Sequence, residues 1–107
     1  MASKKMDDFS PDAVQIAEYA KALSHPARIR ILQILSESDS CIMGSIADQL
    51  PLAQATVSQH LKALKASGLI KGEIDGPKVC YCLDKQVLRI AKTTFDALFT
   101  DTGCCKK

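Results

Sequence analysis

Apolar residues recur at three- and four-residue steps along most of the chain, the period of helices buried on one side. Ala13, Ile16, Ala17, Ala20 and Leu23 predict a first helix that opens at Ser10-Pro11-Asp12. Ser24-His25-Pro26 breaks it, and the proline suits the first turn of a second helix. In that helix Ile29, Ile31, Leu32, Ile34 and Leu35 lie nearly all round the axis, so it is expected to be the most buried element. Ser36-Glu37-Ser38-Asp39-Ser40 ends it, because short polar side chains compete for backbone hydrogen bonds. A short helix with Ile46, Ala47 and Leu50 inward is expected next, followed by the interruption Pro51-Leu52. An amphipathic helix then runs from about Ala53 to Ser67, with Val57, Leu61 and Leu64 inward and Gly68 as its stop.

After Gly68 the period drops from 3.6 to 2. Residues 69–74 and 78–83 flank Asp75-Gly76-Pro77 and predict a β-hairpin. On its second strand Val79, Tyr81 and Leu83 share one face, and Cys80 and Cys82 share the other. A final helix from about Asp84 carries Leu88, Ala91, Phe95 and Leu98, a stripe suited to a partner helix. The order is that of a winged helix-turn-helix, a mainly α (α+β) fold with about five helices and a two-stranded wing. Residues 1–11 read as a flexible N-terminus, 12–99 as the folded domain and 100–107 as a cysteine-containing tail.

Composition narrows the class. A chain of 107 residues with 47% hydrophobic and 24% charged positions is one ordinary globular domain. No apolar run approaches the roughly 20 residues of a membrane span, and residues 1–8 hold no signal-like apolar stretch, so a cytoplasmic protein is expected. Five cysteines in that setting read as ligands, sensors or buried apolar groups rather than staples. The net charge of +2 is divided unevenly: residues 1–53 hold 5 basic and 7 acidic side chains, residues 54–107 hold 9 and 5. That bias towards the second half is mild, and scattered solvated charge explains it as well as a nucleic-acid footprint does. No carboxylate pair, phosphate-binding glycine loop or nucleophile motif is found, which argues against an enzyme.

The outward face of the second helix of the pair has the chemistry of base and phosphate contact. Gln offers a paired donor and acceptor to adenine, Ser and Thr bond bases or phosphates, and Lys neutralises phosphate. Taken alone, such a face is equally a solvated one. The residue strings add to this. Ala22-Leu23-Ser24-His25-Pro26-Ala27-Arg28-Ile29-Arg30-Ile31-Leu32 resembles the opening signature of the ArsR/SmtB family of winged-helix repressors, most like its arsenic-responsive branch. Residues 56–70, from Thr56-Val57-Ser58-Gln59-His60-Leu61 to Gly68-Leu69-Ile70, resemble the recognition helix of that family, and Val79-Cys80-Tyr81-Cys82-Leu83 its second wing strand. The resemblance implies a homodimer, formed by the first and last helices, on an inverted-repeat operator in double-stranded DNA. It places DNA contacts on Gln54, Thr56, Ser58, Gln59, His60, Lys62 and, on the wing, Lys78. It departs at Ala53, where relatives often carry a capping serine. Arg28 and Arg30 either touch phosphate or extend to solvent along a buried helix.

The cysteines bear on what such a repressor would sense. Residues 84–99 contain no histidine, so the resemblance offers no zinc site of Asp, His and Glu on the last helix. The Cys-x-Cys of arsenic and cadmium sensors is replaced by Ile42-Met43-Gly44, with Cys41 just outside. Cys104 and Cys105 remain, an adjacent pair that some arsenic-responsive relatives carry after the last helix. Thiolates suit soft ions, and Lys106 and Lys107 favour the thiolate form. Trivalent arsenic or a related thiophilic metalloid is the expected inducer, with no cofactor needed for DNA binding. Cys80 and Cys82 are open to three readings: surface thiols, a second metal site or a redox pair. Other readings of the whole chain are the same fold sensing redox, reactive sulfur or a soft divalent metal, and a thiol-rich metal-sequestering protein with no DNA role.

Overall fold

Helix starts follow capping chemistry closely. Ser10 Oγ accepts the Ala13 N–H at 3.1 Å ahead of Pro11, and α1 runs Pro11–Ala22. His25 does the same for α2 (Pro26–Ser36), its imidazole Nδ1 accepting the Ala27 N–H at 3.0 Å. These belong to a computed structural model that describes residues 8–37, 42–43, 46–75 and 78–100. After α2 come β1 (Ile42–Met43), a single 3-10 turn (Ala47–Gln49) and α3 (Gln54–Ala66). β2 (Ile70–Asp75), β3 (Lys78–Leu83) and α4 (Lys85–Thr100) complete the chain.

Four α-helices are present among the described residues, not five, because the expected short helix is only the 3-10 turn. Ile46 and Leu50 still bury as expected, so one turn is enough to aim them inward. The sheet also exceeds expectation: β1 adds an antiparallel edge to β3, giving the strand order β1-β3-β2. Ile42 pairs with Tyr81 and Met43 with Cys80. Two residues have no periodicity to detect, so this strand leaves no trace in the sequence pattern. The β2–β3 register, Ile70 opposite Leu83 through Asp75 opposite Lys78, is that of the expected hairpin.

The core gathers Ile31, Ile34 and Leu35 of α2, Val57, Leu61 and Leu64 of α3, Tyr19 and Ala22 of α1, Leu69, Ile70 and Ala91. Ile31 and Leu64 have no exposed surface at all. Two apolar faces differ from expectation. α2 is buried on one side only, and Ile29 is exposed because no element among the described residues covers that flank. On α4, Ala91 is buried and Leu88 and Phe95 pack on the protomer's own core, leaving Leu98 of the expected stripe exposed. Ile90, Leu98 and Phe99 are 50%, 51% and 63% exposed, so the apolar arc of α4 is wider than the other described residues cover.

α3 ends as expected at Gly68, whose φ of +87° closes a Schellman motif. The Gly68 N–H bonds the Lys65 carbonyl at 3.0 Å and the Leu69 N–H bonds that of Leu64 at 3.2 Å. A β-carbon on Gly68 would meet Val87 at an ordinary 3.6 Å, so backbone strain and not crowding bars other residues. Gly68→Ala should therefore cost about 1–2 kcal/mol, the penalty of a left-handed L-residue. A chemical denaturation curve with a lower midpoint and unchanged slope would show it, and an unchanged midpoint would refute it.

Candidate nucleic-acid interface

α3 is divided by its burial. Val57, Leu61 and Leu64 recur at the four-and-three spacing that keeps them on one side, and all three are buried. Geometry then obliges the intervening positions to face away. Gln54, Ser58, Gln59 and Lys62 are exposed, together with Lys65, and Thr56 is half-buried at the edge of the same face. Donor-acceptor, hydroxyl and ammonium groups thus stand in rows one helical turn apart. An α-helix with such a face fits the width of the DNA major groove.

His60 is the exception. Sequence reading puts it outward with these residues, but it is 9% exposed and turned towards α2. Its Nδ1 accepts a hydrogen bond from Arg28 Nε at 3.1 Å, and its ring lies 4.4 Å from that of His25, tilted by 44°. Burial pushes the imidazole below the ordinary histidine value, and the neighbouring His25 and Arg28 push the same way. A residue three places after Val57 and one before Leu61 lies on the border of the buried face. Periodicity alone does not assign such a border position; a hydrogen-bonding partner on the next helix does.

The N-terminus of α3 lacks a side-chain cap, as the sequence implies. Ala53 holds the extended backbone of a cap residue (φ −65°, ψ 149°), and its carbonyl accepts the Val57 N–H at 3.0 Å. Between this end of α3, the 3-10 turn and Tyr81 of β3 lies a cavity of about 130 Å³, with Gln54 and Ser58 on its walls. Small-molecule sites usually enclose about 300–1,000 Å³, so this gap is too small for one.

Lys78 opens β3 opposite Asp75, next to the hairpin connection, and its side chain lies outside the described ones. Cys104 and Cys105 also lie outside the described residues, as does Cys41. Cys80 and Cys82 are free, half-buried thiols, opposite Glu73 and Lys71 on β2. Among the described residues no group of three or more His, Cys, Asp or Glu side chains is placed to hold a metal ion. None of the described helices is long and apolar enough to cross a membrane.

Residues 25–71 match the family described as bacterial regulatory protein, arsR family. Over 66 residues the chain is 46% identical to the HTH-type transcriptional repressor SmtB of Mycobacterium tuberculosis, a match covering 62% of this chain and 48% of that protein. The chain therefore spans about half the length of that relative. It is 30% identical over 94 residues to the arsenical resistance operon repressor of Staphylococcus xylosus, covering 87% of this chain and 89% of the relative. An ArsR-like transcriptional regulator from Rhodococcus sp. RHA1 superimposes with a TM-score of 0.69 at 27% identity, covering 83% of each chain.

The bare cap gives a test of how α3 is held. Ala53→Ser places a hydroxyl where it can accept the Thr56 N–H, and it should stabilise the fold by about 1 kcal/mol. In a domain of this size that is a melting point roughly 4–8 °C higher. A melting point unchanged or lowered would mean that packing already sets the start of the helix.

Proposed function

The chain belongs to the arsR family of bacterial regulatory proteins, and from that premise we propose that it is a homodimeric transcriptional repressor released from DNA by trivalent arsenic. The observation that carries the DNA-binding part is the exposed set Gln54, Ser58, Gln59 and Lys62, running from the flank to the far side of the helix from the buried Val57, Leu61 and Leu64. In this reading α3 enters the major groove, with Thr56 at its flank, and the wing brings Lys78 to the adjoining backbone. Gln54 and Gln59 read base edges, Ser58 and Thr56 bond bases or phosphates, and the lysines neutralise phosphate.

The exposed apolar residues of α4 support a dimer. Ile90 in the first half of α4 and Leu98 and Phe99 near its end are exposed, as are the small residues Ala13, Ala17 and Ala20 of α1, the helix that packs against it. A second copy would bury this surface by two-fold symmetry, with self-complementary contacts. Two α3 helices would then meet half-sites about 34–36 Å apart, one turn of the duplex. Leu98→Glu combined with Ile90→Glu should give a monomer in sedimentation velocity, with DNA affinity reduced at least tenfold. A dimer that persists would mean that another face forms it.

Cys104 and Cys105 are the ligands in this reading, with an inducer of the arsenite, antimonite or organoarsenical class. Adjacent thiolates chelate a sulfur-seeking centre, Lys106 and Lys107 stabilise them, and a 30% identical relative carries the name arsenical resistance operon repressor. A second reading rests on Cys80 and Cys82, free on one face of β3: the same DNA-binding protein answering an oxidant or a soft divalent metal.

Fluorescence anisotropy of the reduced protein on DNA from upstream of its own gene separates these readings. Wild type should bind at low salt, with affinity falling steeply as salt rises. Lys62→Ala should lower the logarithmic salt slope by about one. Stepwise trivalent arsenic should release wild type near stoichiometry and spare Cys104→Ser/Cys105→Ser. Retention of both on DNA would overturn the arsenic reading in favour of redox or divalent-metal sensing through Cys41, Cys80 or Cys82. Failure to bind at low salt would overturn the repressor reading itself.

A further inference from the structure

Three helices meet at one guanidinium. Arg28, on the first turn of α2, donates through Nε to His60 Nδ1 of α3 at 3.1 Å. Its Nη1 reaches the carbonyls of Lys21 at 3.3 Å and Ala22 at 3.4 Å, the last two residues of α1. Carbonyls at a helix C-terminus carry the negative end of its dipole, so a cation is suited there, although that of Lys21 also accepts the Ser24 N–H at 3.2 Å and the Ser24 hydroxyl at 2.7 Å. Arg28 therefore joins the C-terminus of α1, the N-terminus of α2 and the middle of α3. The joint on α3 is on its border, one residue from Gln59 and two from Ser58 and Lys62.

We propose that Arg28 is a positioning residue that holds α3 in its DNA-docking orientation through His60, and that protonation of His60 releases that hold. The proposal rests on the DNA-binding reading above and deepens it.

The chemistry of the acceptors makes the hold sensitive to protons. Both imidazoles accept at Nδ1, His60 from Arg28 and His25 from the Ala27 N–H that caps α2. In this arrangement His60 keeps an unprotonated Nδ1 and carries its hydrogen on Nε2. A proton added to His60 Nδ1 removes the acceptor and sets an imidazolium against a guanidinium at hydrogen-bond distance. The titratable and charged groups that face His60 are His25 and Arg28, both from the α2 end, and α1 contributes only carbonyls. No carboxylate is paired with His25, Arg28 or His60 among the described residues, so none of them offsets the added charge.

The sign follows from the direction of the shift. His60 is held below its ordinary value of 6.5, so the unfolded chain takes up a proton before the folded one. The stability it contributes is complete above the unfolded value and is lost as pH falls through that value towards the folded one. DNA docking should fade over the same interval. A lysine at position 28 would not substitute, because an ammonium lacks the planar fork that reaches an imidazole and two carbonyls together.

The test uses the full reduced chain on its upstream DNA at pH 7.5 and pH 5.5, with folding followed by circular dichroism. Wild type should lose affinity severalfold on acidification, since one group that titrates below 6.5 in the free protein can give at most about tenfold at pH 5.5. His60→Asn keeps an acceptor oxygen near the Nδ1 position and does not titrate, so it should bind at pH 7.5 within about twofold of wild type and lose most of the pH dependence. Arg28→Met and His60→Phe should each weaken binding about tenfold at pH 7.5 while remaining folded. The double variant should be no weaker than either single one, because both break the same link.

Equal loss on acidification in His60→Asn and wild type would overturn the proton-sensitive part. Additive losses in the double variant, with a salt slope lowered by about one in Arg28→Met, would show Arg28 touching phosphate instead and overturn its positioning role. So would wild-type affinity in Arg28→Met. Nitrogen NMR of the free protein separates these failures from a failure of DNA binding altogether. The link requires His60 as the Nε2–H tautomer, titrating below 6.5 and changed by Arg28→Met. If wild type binds no DNA at either pH, the repressor reading and the docking role fall together, and this spectrum alone decides whether the link exists.

Discussion

Burial of Val57, Leu61 and Leu64 against the core of α2 is the constraint on which the rest of the molecule depends. These residues lie on one side of α3, so their burial fixes the rotation of the helix about its axis and turns Gln54, Ser58, Gln59 and Lys62 outward. The two requirements do not compete. An amphipathic helix whose inner face is large and well packed has its outer face free for whatever chemistry the surface needs. Full burial of a leucine or isoleucine such as Leu64 or Ile31 is worth about 1.5–3 kcal/mol, more than any polar residue on the outer face contributes to folding. The fold can therefore keep its geometry while the outer residues change.

Rotation alone does not fix direction, and the polar groups at both ends of α3 supply what packing leaves loose. At the C-terminus Gly68 closes a Schellman motif, and the Leu69 carbonyl then accepts the Asp84 N–H at 3.0 Å. Asp84 in turn accepts the Val87 N–H through its side chain at 3.2 Å, capping α4. One residue, Leu69, thus bonds backward into α3 and across to the start of α4, while its own side chain is buried. The middle of α3 is tied differently, by a side chain of α2 that also holds the end of α1. Hydrogen bonds are directional where apolar packing is not, which is why they set the angle that the core only permits.

Much of this was legible in the residues, for reasons that differ by element. α3 shows in the spacing of Val57, Leu61 and Leu64, its end in Gly68, and the wing in the shift from period 3.6 to period 2. Each rests on an arrangement repeated over several residues. β1 has two residues and the 3-10 turn three, too few for a period to emerge, so one was missed and the other read as a helix. α4 shows its apolar residues plainly, but a stripe does not say which of them the protomer itself covers, and Ala91, Leu88 and Phe95 turned out to serve its own core. His60 and Arg28 are 32 positions apart, and nothing local in either stretch pairs them. His25 as a cap was equally hidden, because Ser, Thr, Asp and Asn are the residues that usually reveal that role.

The same connections set how a signal at one end of the chain would reach α3. α4 leads from the Asp84–Leu69 junction towards the segment that carries Cys104 and Cys105, and α1 packs beside it. A displacement of α4 relative to α1 has two routes to α3. One runs through Leu69 to its C-terminus, the other through the α1 carbonyls and Arg28 to its middle. Because the two attachments lie at different heights, unequal movement of α1 and α4 would tilt the helix instead of translating it. A tilt about these two attachments would move the N-terminal end of α3 most, carrying Gln54 and with it the buried Val57. To take such a switch from one hundredth to ninety-nine hundredths occupied, a ligand must prefer one state by about 5.5 kcal/mol. In the arsenic reading proposed above, binding beyond α4 would supply that preference only if it moved α3 as well, and the Asp84 N–H to Leu69 carbonyl bond is the direct attachment through which the start of α4 could do so.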